Sequence, residues 1–165
     1  MPEIDLVNPT PLFHLFIPTE EKITSLRKHL IEDYLYVSDE ARNDEAVNQT
    51  ILRMFHQPNA IYYEIGDWKG VCGFRDIIPC KSAHATFKFW GKDIWGKTLI
   101  REMRQTLSLF EYAFNLVRIE SQTADPRIVK LTSMVGFEVE GTRRKAFIFD
   151  GKFYDLILLG RVKEG

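Results

Sequence analysis

The chain has 165 residues, of which 45% are hydrophobic and 27% charged, with a formal net charge of -1. That length suits one domain around one continuous core, and that balance excludes disorder. A near-neutral chain with scattered Lys and Arg is not built to follow a phosphate backbone, so nucleic acid is not an expected partner. No apolar stretch reaches the ~20 residues that cross a bilayer. The start MPEIDLVNP is acidic and Pro-interrupted, unlike a secretory signal. A cytoplasmic protein without a membrane partner is therefore expected. Cys72 and Cys80 lack C-x-x-C spacing and point to two reduced thiols, with neither a disulfide framework nor a metal site suggested.

In chain order, PLFHLFIP (11–18) reads as a strand closed by Pro18. Thr19 follows as a helix N-cap with Glu20 and Glu21 in the first turn. Ile23, Leu26, Leu30, Ile31 and Tyr34 then recur at helical spacing. A second helix spans 39–57, with Val47, Ile51, Met54 and Phe55 as its buried stripe. The period next changes: AIYYEIGD (60–67) and VCGFRDIIP (71–79) are strands joined by a tight Gly turn, and SAHATFKFW (82–90) is a third. The strongest helix runs from about Lys97 to Asn115 on Leu99, Ile100, Met103, Leu107, Phe110 and Phe114.

A short strand (116–123) leads to Asp125-Pro126, an N-cap and a first-position Pro, and Gly136 closes that helix. FEVEG, RRKAFIF and FYDLILLG (137–160) finish the chain as strands, with Asp150-Gly151 as a hairpin turn. The basic triplet Arg143, Arg144 and Lys145 is a solvated turn or strand edge. The order β, α, α, β, β, β, α, β, α, β, β is a meander before a βαβ crossover. It predicts an α/β fold with a mixed central sheet of about seven strands and helices on both faces.

Between the third strand and the central helix lies GKDIWGKT (91–98), a match to the phosphate-loop pattern G-x-x-x-x-G-K-[ST] in the context that pattern needs. Three features count against a phosphate-loop enzyme. Such domains begin with that strand, whereas here three strands and two helices precede it. Ile94 and Trp95 are bulky where a phosphate cradle wants small residues. Asp150, which ends the run AFIFD (146–150) and could be read as a magnesium-holding Asp, has a plain turn role.

The C-terminal third carries a different pattern. Gly136-Phe137, Glu140-Gly141, Arg143, Asp150-Gly151 and Tyr154-Asp155 fall in the register of the closing segment of the GNAT superfamily, the acetyl-CoA-dependent N-acetyltransferases. The segment is most similar to the group that acetylates ribosomal-protein N-termini. Upstream, WGKTLIREM (95–103) resembles a stretch of the same family at Trp95, Gly96, Lys97 and Glu102.

The resemblance implies one GNAT-like domain over the chain, acetyl-CoA as cosubstrate, and direct acetyl transfer to a primary amine within a ternary complex. The amine would belong to a protein N-terminus, a lysine or a small molecule. Acetyl-CoA would lie where two parallel strands splay, its arm along Phe89, Trp90 and Gly91. Its pyrophosphate would sit over Trp95, Gly96, Lys97, Thr98 and Leu99, with Asp125 at the start of the following helix. The two glycines of the family loop are Thr98 and Ile100 here, and Ile100 belongs to the apolar stripe. An ammonium must lose a proton before it attacks, and Glu120, then Glu64, are the expected bases. The position of the usual proton donor falls on Thr132, a poor acid. Loss of the loop glycines leaves an alternative, a GNAT-fold binding or assembly module without an acetyl-CoA site. His84 reads as an ordinary strand residue.

Overall fold

Helix starts leave amides unpaired, and short polar side chains satisfy them. In the computed structural model, which describes residues 4–33 and 35–164, Thr19 Oγ1 accepts from Lys22 N to open α1 (Glu20–Glu32). Asn43 Oδ1 accepts from Ala46 N to open α2 (Asp44–His56). Asp125 accepts from Arg127 N, with Pro126 in first position, to open α4 (Pro126–Met134). The longest helix, α3 (Lys97–Ala113), differs. Its N-cap is Gly96, which supplies no side-chain cap, and its first turn holds no acidic residue.

The strands are β1 (Phe13–Leu15), β2 (Ile61–Ile65), β3 (Gly70–Ile78), β4 (Ser82–Phe89), β5 (Arg118–Thr123), β6 (Glu138–Phe149) and β7 (Lys152–Val162). They form one sheet in the order β1-β2-β3-β4-β5-β7-β6. Every neighbouring pair is antiparallel except β4–β5, the pair joined through α3. The expected mixed α/β architecture and element order are thus observed.

Three local expectations change. The first strand is three residues long, and Leu15 N bonds to Val7 O. The span 39–57 divides into a 3₁₀ turn at Asp39–Ala41 and then α2. The cause is long-range: the Asp39 carboxylate accepts from the amides of Asp150 and Gly151, both at 2.9 Å. Finally, the stretch expected as two strands is one β6, irregular between Arg143 and Phe147, where Lys145 takes φ 50°. Tyr34, part of the expected stripe of α1, lies outside the described residues.

Helices cover both faces. Leu99, Met103, Leu107 and Phe110 of α3 pack on Tyr63, Phe74, Ala85 and Ile119, and the Phe110 ring stacks on Phe74 with centroids 3.8 Å apart. On the other face Leu26 and Leu30 of α1 and Val47 and Ile51 of α2 pack on Phe16 and Val71. Arg161 of β7 fastens the α3 side, its Nε 2.9 Å from Glu111 and its Nη1 donating to Val135 O at 3.0 Å. Cys72 is buried and Cys80 exposed, both free. Among the described residues, no helix is long and apolar enough to cross a membrane.

Candidate functional site

β4 and β5 run together at only three positions, Ser82–Arg118, Ala83–Ile119 and His84–Glu120. Beyond His84 each strand keeps its outer neighbour: β4 stays on β3 as far as Phe89, and β5 stays on β7 as far as Thr123. The two middle strands therefore part and leave a wedge. Among the described residues no strand borders β4 on that side from Ala85 onward. Trp90 N and Gly91 N turn the other way, to Lys69 O. An unpaired strand edge inside a protein wants a hydrogen-bonding partner.

A cavity of about 440 Å³ opens into this wedge beneath α1 and α2, lined by Tyr36, Arg53, Arg75, His84, Thr86 and Ser121 among others. A second hollow of about 20 Å³ sits at the mouth of the wedge, between Lys88, Trp95, Asp125 and Arg127. Tyr36 lines both, and its hydroxyl is 3.1 Å from Thr86 Oγ1.

Residues 35–42 cross the wedge as a strap. Leu35 is buried against Ala124, Phe149 and Leu156. Asp39 holds the β6–β7 turn as above, and Arg42 Nη1 lies 2.9 Å from Asp150 Oδ1 with its guanidinium over the Phe149 ring. At the near end, Lys88 is almost fully buried, 3.1 Å from Asp33 Oδ2 and 5.2 Å from the Tyr36 ring centroid. Burial pulls the Lys88 ammonium down from its usual range, and Asp33 opposes that pull.

His84 stands where the strands part, with Arg75 and Glu120 as its partners in the ladders on either side. Burial first, and the Arg75 charge second, lower its pKa to about 4, so the imidazole is neutral at pH 7. Burial pushes the Tyr36 phenol up, so it keeps its proton. Among the described residues no carboxylate lines the larger cavity.

The residues singled out in the sequence fall into three groups. Phe89, Trp95 and Asp125 line the small hollow at the mouth of the wedge, and Gly96, Lys97 and Thr98 follow Trp95 into the start of α3. The Phe89 and Trp95 rings are 5.1 Å apart, and Trp95 is 39% exposed. A Cβ on Gly96 would meet nothing within 4 Å, so the start of α3 is open. The first intrahelical bond there is Ile100 N to Gly96 O, which leaves the amides of Lys97, Thr98 and Leu99 ahead of it. The Leu99 side chain is buried in the core, and Ile100 packs against that core rather than over the loop. Asp125 is committed to its cap and to the Arg127 guanidinium at 2.7 Å.

Trp90 and Gly91 turn toward the α1 side. The Trp90 ring stacks on His29 at 4.2 Å, and Gly91 leaves room for the Lys69 side chain. The expected proton carriers are spread out. Glu120 is the ladder neighbour of His84, but its carboxylate is half exposed and 2.9 Å from Arg118 Nε. Glu64 lies on β2 in an ion pair with Lys22. Thr132 is fully buried, its hydroxyl donating to Ile128 O at 2.7 Å. The phosphate-loop segment follows a strand whose β3 neighbour is antiparallel, and Asp150 is occupied by Arg42.

Sequence reasoning missed Tyr36, Arg53, Arg75, Thr86 and Lys88. Part of the signal was present. His84, Thr86 and Lys88 alternate with Ala83, Ala85 and Phe87 in a central strand covered on both faces, where polar residues need a reason.

No family model matches the chain, and no curated protein matches it by sequence. Solved structures do match. The spermidine N-acetyltransferase from Vibrio cholerae, in complex with CoA and spermine, matches with TM-score 0.71 and 15% identity over 93% of this chain and 96% of its own. The ribosomal-protein-S5-alanine acetyltransferase from Vibrio fischeri gives 0.67 and 18% over 97% and 98%. The Salmonella typhimurium acetyl transferase that modifies the N-terminal serine of ribosomal protein L7/L12 gives 0.69 and 17% over 96% and 99%.

Proposed function

We propose that this chain, which has the GNAT fold, is a cytoplasmic N-acetyltransferase that moves an acetyl group from acetyl-CoA to a primary amine. The parting of β4 and β5 after His84, beside an open and uncapped helix start, carries this assignment.

The residues present suit the cosubstrate. The free edge of β4 from Ala85 to Phe89 offers main-chain groups to the amides of a pantetheine arm. The first amides of α3, at the positive end of a helix 17 residues long, and the Lys97 ammonium suit a pyrophosphate. Asp125 does not oppose it, because Arg127 neutralises the carboxylate. Trp95 and Arg127 flank the narrow mouth, and the Trp95 side chain is partly exposed there. Bound there, acetyl-CoA supplies an activated carbonyl and a thiolate leaving group.

The chain's own residues do the rest. His84, neutral at the apex, accepts a hydrogen bond from the attacking amine and orients its lone pair. Glu120, next to His84 and open to water, takes the released proton onward. Tyr36 stands between the two hollows and keeps its proton, so it donates to the departing sulfur in place of Thr132, whose hydroxyl is held inside its helix. Residues 35–42 roof the wedge and exclude water.

Thermal unfolding with and without acetyl-CoA tests the assignment. A ligand that binds only the folded chain at 100 times its Kd adds about 2.7 kcal/mol of stability, and a matching rise in Tm is expected. No rise at millimolar acetyl-CoA overturns the enzyme in favour of a binding module. A rise with ATP and magnesium alone points to the phosphate-loop alternative.

A further inference from the structure

We infer that the acceptor is a primary amine carrying an anionic group, a carboxylate or a phosphate, a few bonds from its nitrogen. This names the substrate class for the acetyl-transfer site proposed above and rests on that assignment.

The larger cavity carries positive charge on its wall. Its ionised lining side chains are Arg53 of α2 and Arg75 of β3, and among the described residues no Asp or Glu joins them. The other polar groups there, such as Gln57, Tyr36, Thr86 and Ser121, are neutral. Arg53 has no ion-pair partner among the described residues. Arg75 Nη1 donates to Asp76 at 2.6 Å, and Gln57 Nε2 holds the other oxygen of the same carboxylate at 2.7 Å. Asp76 lies outside the lining and fixes one corner of the guanidinium. A guanidinium has five N–H donors, so Arg75 retains several for a ligand.

Arg75 and His84 are partners across β3 and β4, and strands lie about 5 Å apart. An amine placed at His84 therefore has an anion receptor one strand away, and Arg53 of α2 lines the same cavity. Arginine forks match carboxylate and phosphate in geometry as well as in charge. The same two charges disfavour an ammonium and so favour the neutral amine that attacks. A polyamine or aminoglycoside would bring several cations against two arginines, with no carboxylate among the described lining residues to receive them.

The test uses matched pairs: β-alanine against β-alaninamide, O-phosphoethanolamine against ethanolamine, and short peptides whose N-terminal Ser precedes Asp or Lys. Spermidine is the polycation. CoA thiol release is the readout. The anionic member of a pair is expected to exceed its partner by about tenfold or more in kcat/KM, as charge-assisted pairing implies. R53Q should bring that ratio toward one while the acetyl-CoA thermal shift persists, and R75Q should do the same. A preference seen only in the small pairs identifies a free metabolite, and one seen only in the peptides identifies an acidic N-terminus. Equal rates within every pair, or preference for spermidine, overturns the inference.

A parallel NMR titration of β-alanine and O-phosphoethanolamine into the protein without acetyl-CoA separates the two layers. Saturable binding weakened in R53Q supports the anion site even if acetyl-CoA fails to bind, in which case acetyl transfer falls alone. Acetyl-CoA binding with no discrimination among amines leaves acetyl transfer standing and removes the anion site.

Discussion

His84 owes its neutrality to where it sits, half enclosed at the end of a short ladder and beside a guanidinium. If it works as a hydrogen-bond acceptor, activity should show no inflection near pH 6.5, the ordinary histidine value. The rate should instead rise with pH as the acceptor amine loses its proton, and a bell limb centred near 6.5 in a kcat/KM profile would exclude this role. The same residue bears on stability. Its folded pKa of about 4 lies below the unfolded value, so the unfolded chain takes up the proton first as pH falls. Stability is therefore lost between about pH 6.5 and 4, and H84Q should flatten Tm across that window. Tyr36 makes a separate prediction: Y36F should lower kcat about a hundredfold, the usual scale of lost acid catalysis, with acetyl-CoA affinity kept.

Among the elements, the start of α3 is the most exposed to test. Gly96 has extended backbone and open space around it, so Asp fits there without strain. G96D should hold or slightly raise stability, by a few tenths of a kcal/mol, because Asp is a good N-cap. It should also abolish acetyl-CoA stabilisation by setting a carboxylate where a diphosphate belongs. Loss of binding together with lost stability would mean that Gly96 is structural only. The caps themselves were legible, since Thr19 and Asp125 act on amides two or three residues away. The strap was not. Asp39 reads as the start of a helix until the β6–β7 turn, 111 residues later, brings its amides alongside. Tyr36 and Arg75 were hidden for the same reason: only the fold sets a loop and a strand around one hollow. The pairing of Glu64 with Lys22 likewise comes from a tertiary contact that residue spacing does not encode, whereas Arg118 lies only two residues from Glu120 on the same strand.

For the molecule as a whole, Arg161 is the joint where β7 meets α3 and the end of α4, with Glu111 as its buried counter-charge. R161M should cost about 3–5 kcal/mol, because it strands that carboxylate. Adding E111L should recover most of the loss, which urea unfolding of the single and double variants would measure. Periodicity made the layered architecture readable, since each element shows its own repeat and the crossover order restricts how strands can neighbour one another. How far a parallel pair stays together is invisible to periodicity. Here it stays together for three rungs.

A ladder that stops so early leaves the sheet one strand short. Whatever slides into the gap behaves as a missing piece of architecture, so the loaded chain unfolds as a more complete object than the empty one. The amides of Ala85, Phe87 and Phe89 should exchange with solvent slowly only when the gap is filled. On the proposed chemistry, the cell's supply of acetyl donor then governs the lifetime of the chain as well as its turnover, because proteolysis draws on the open form.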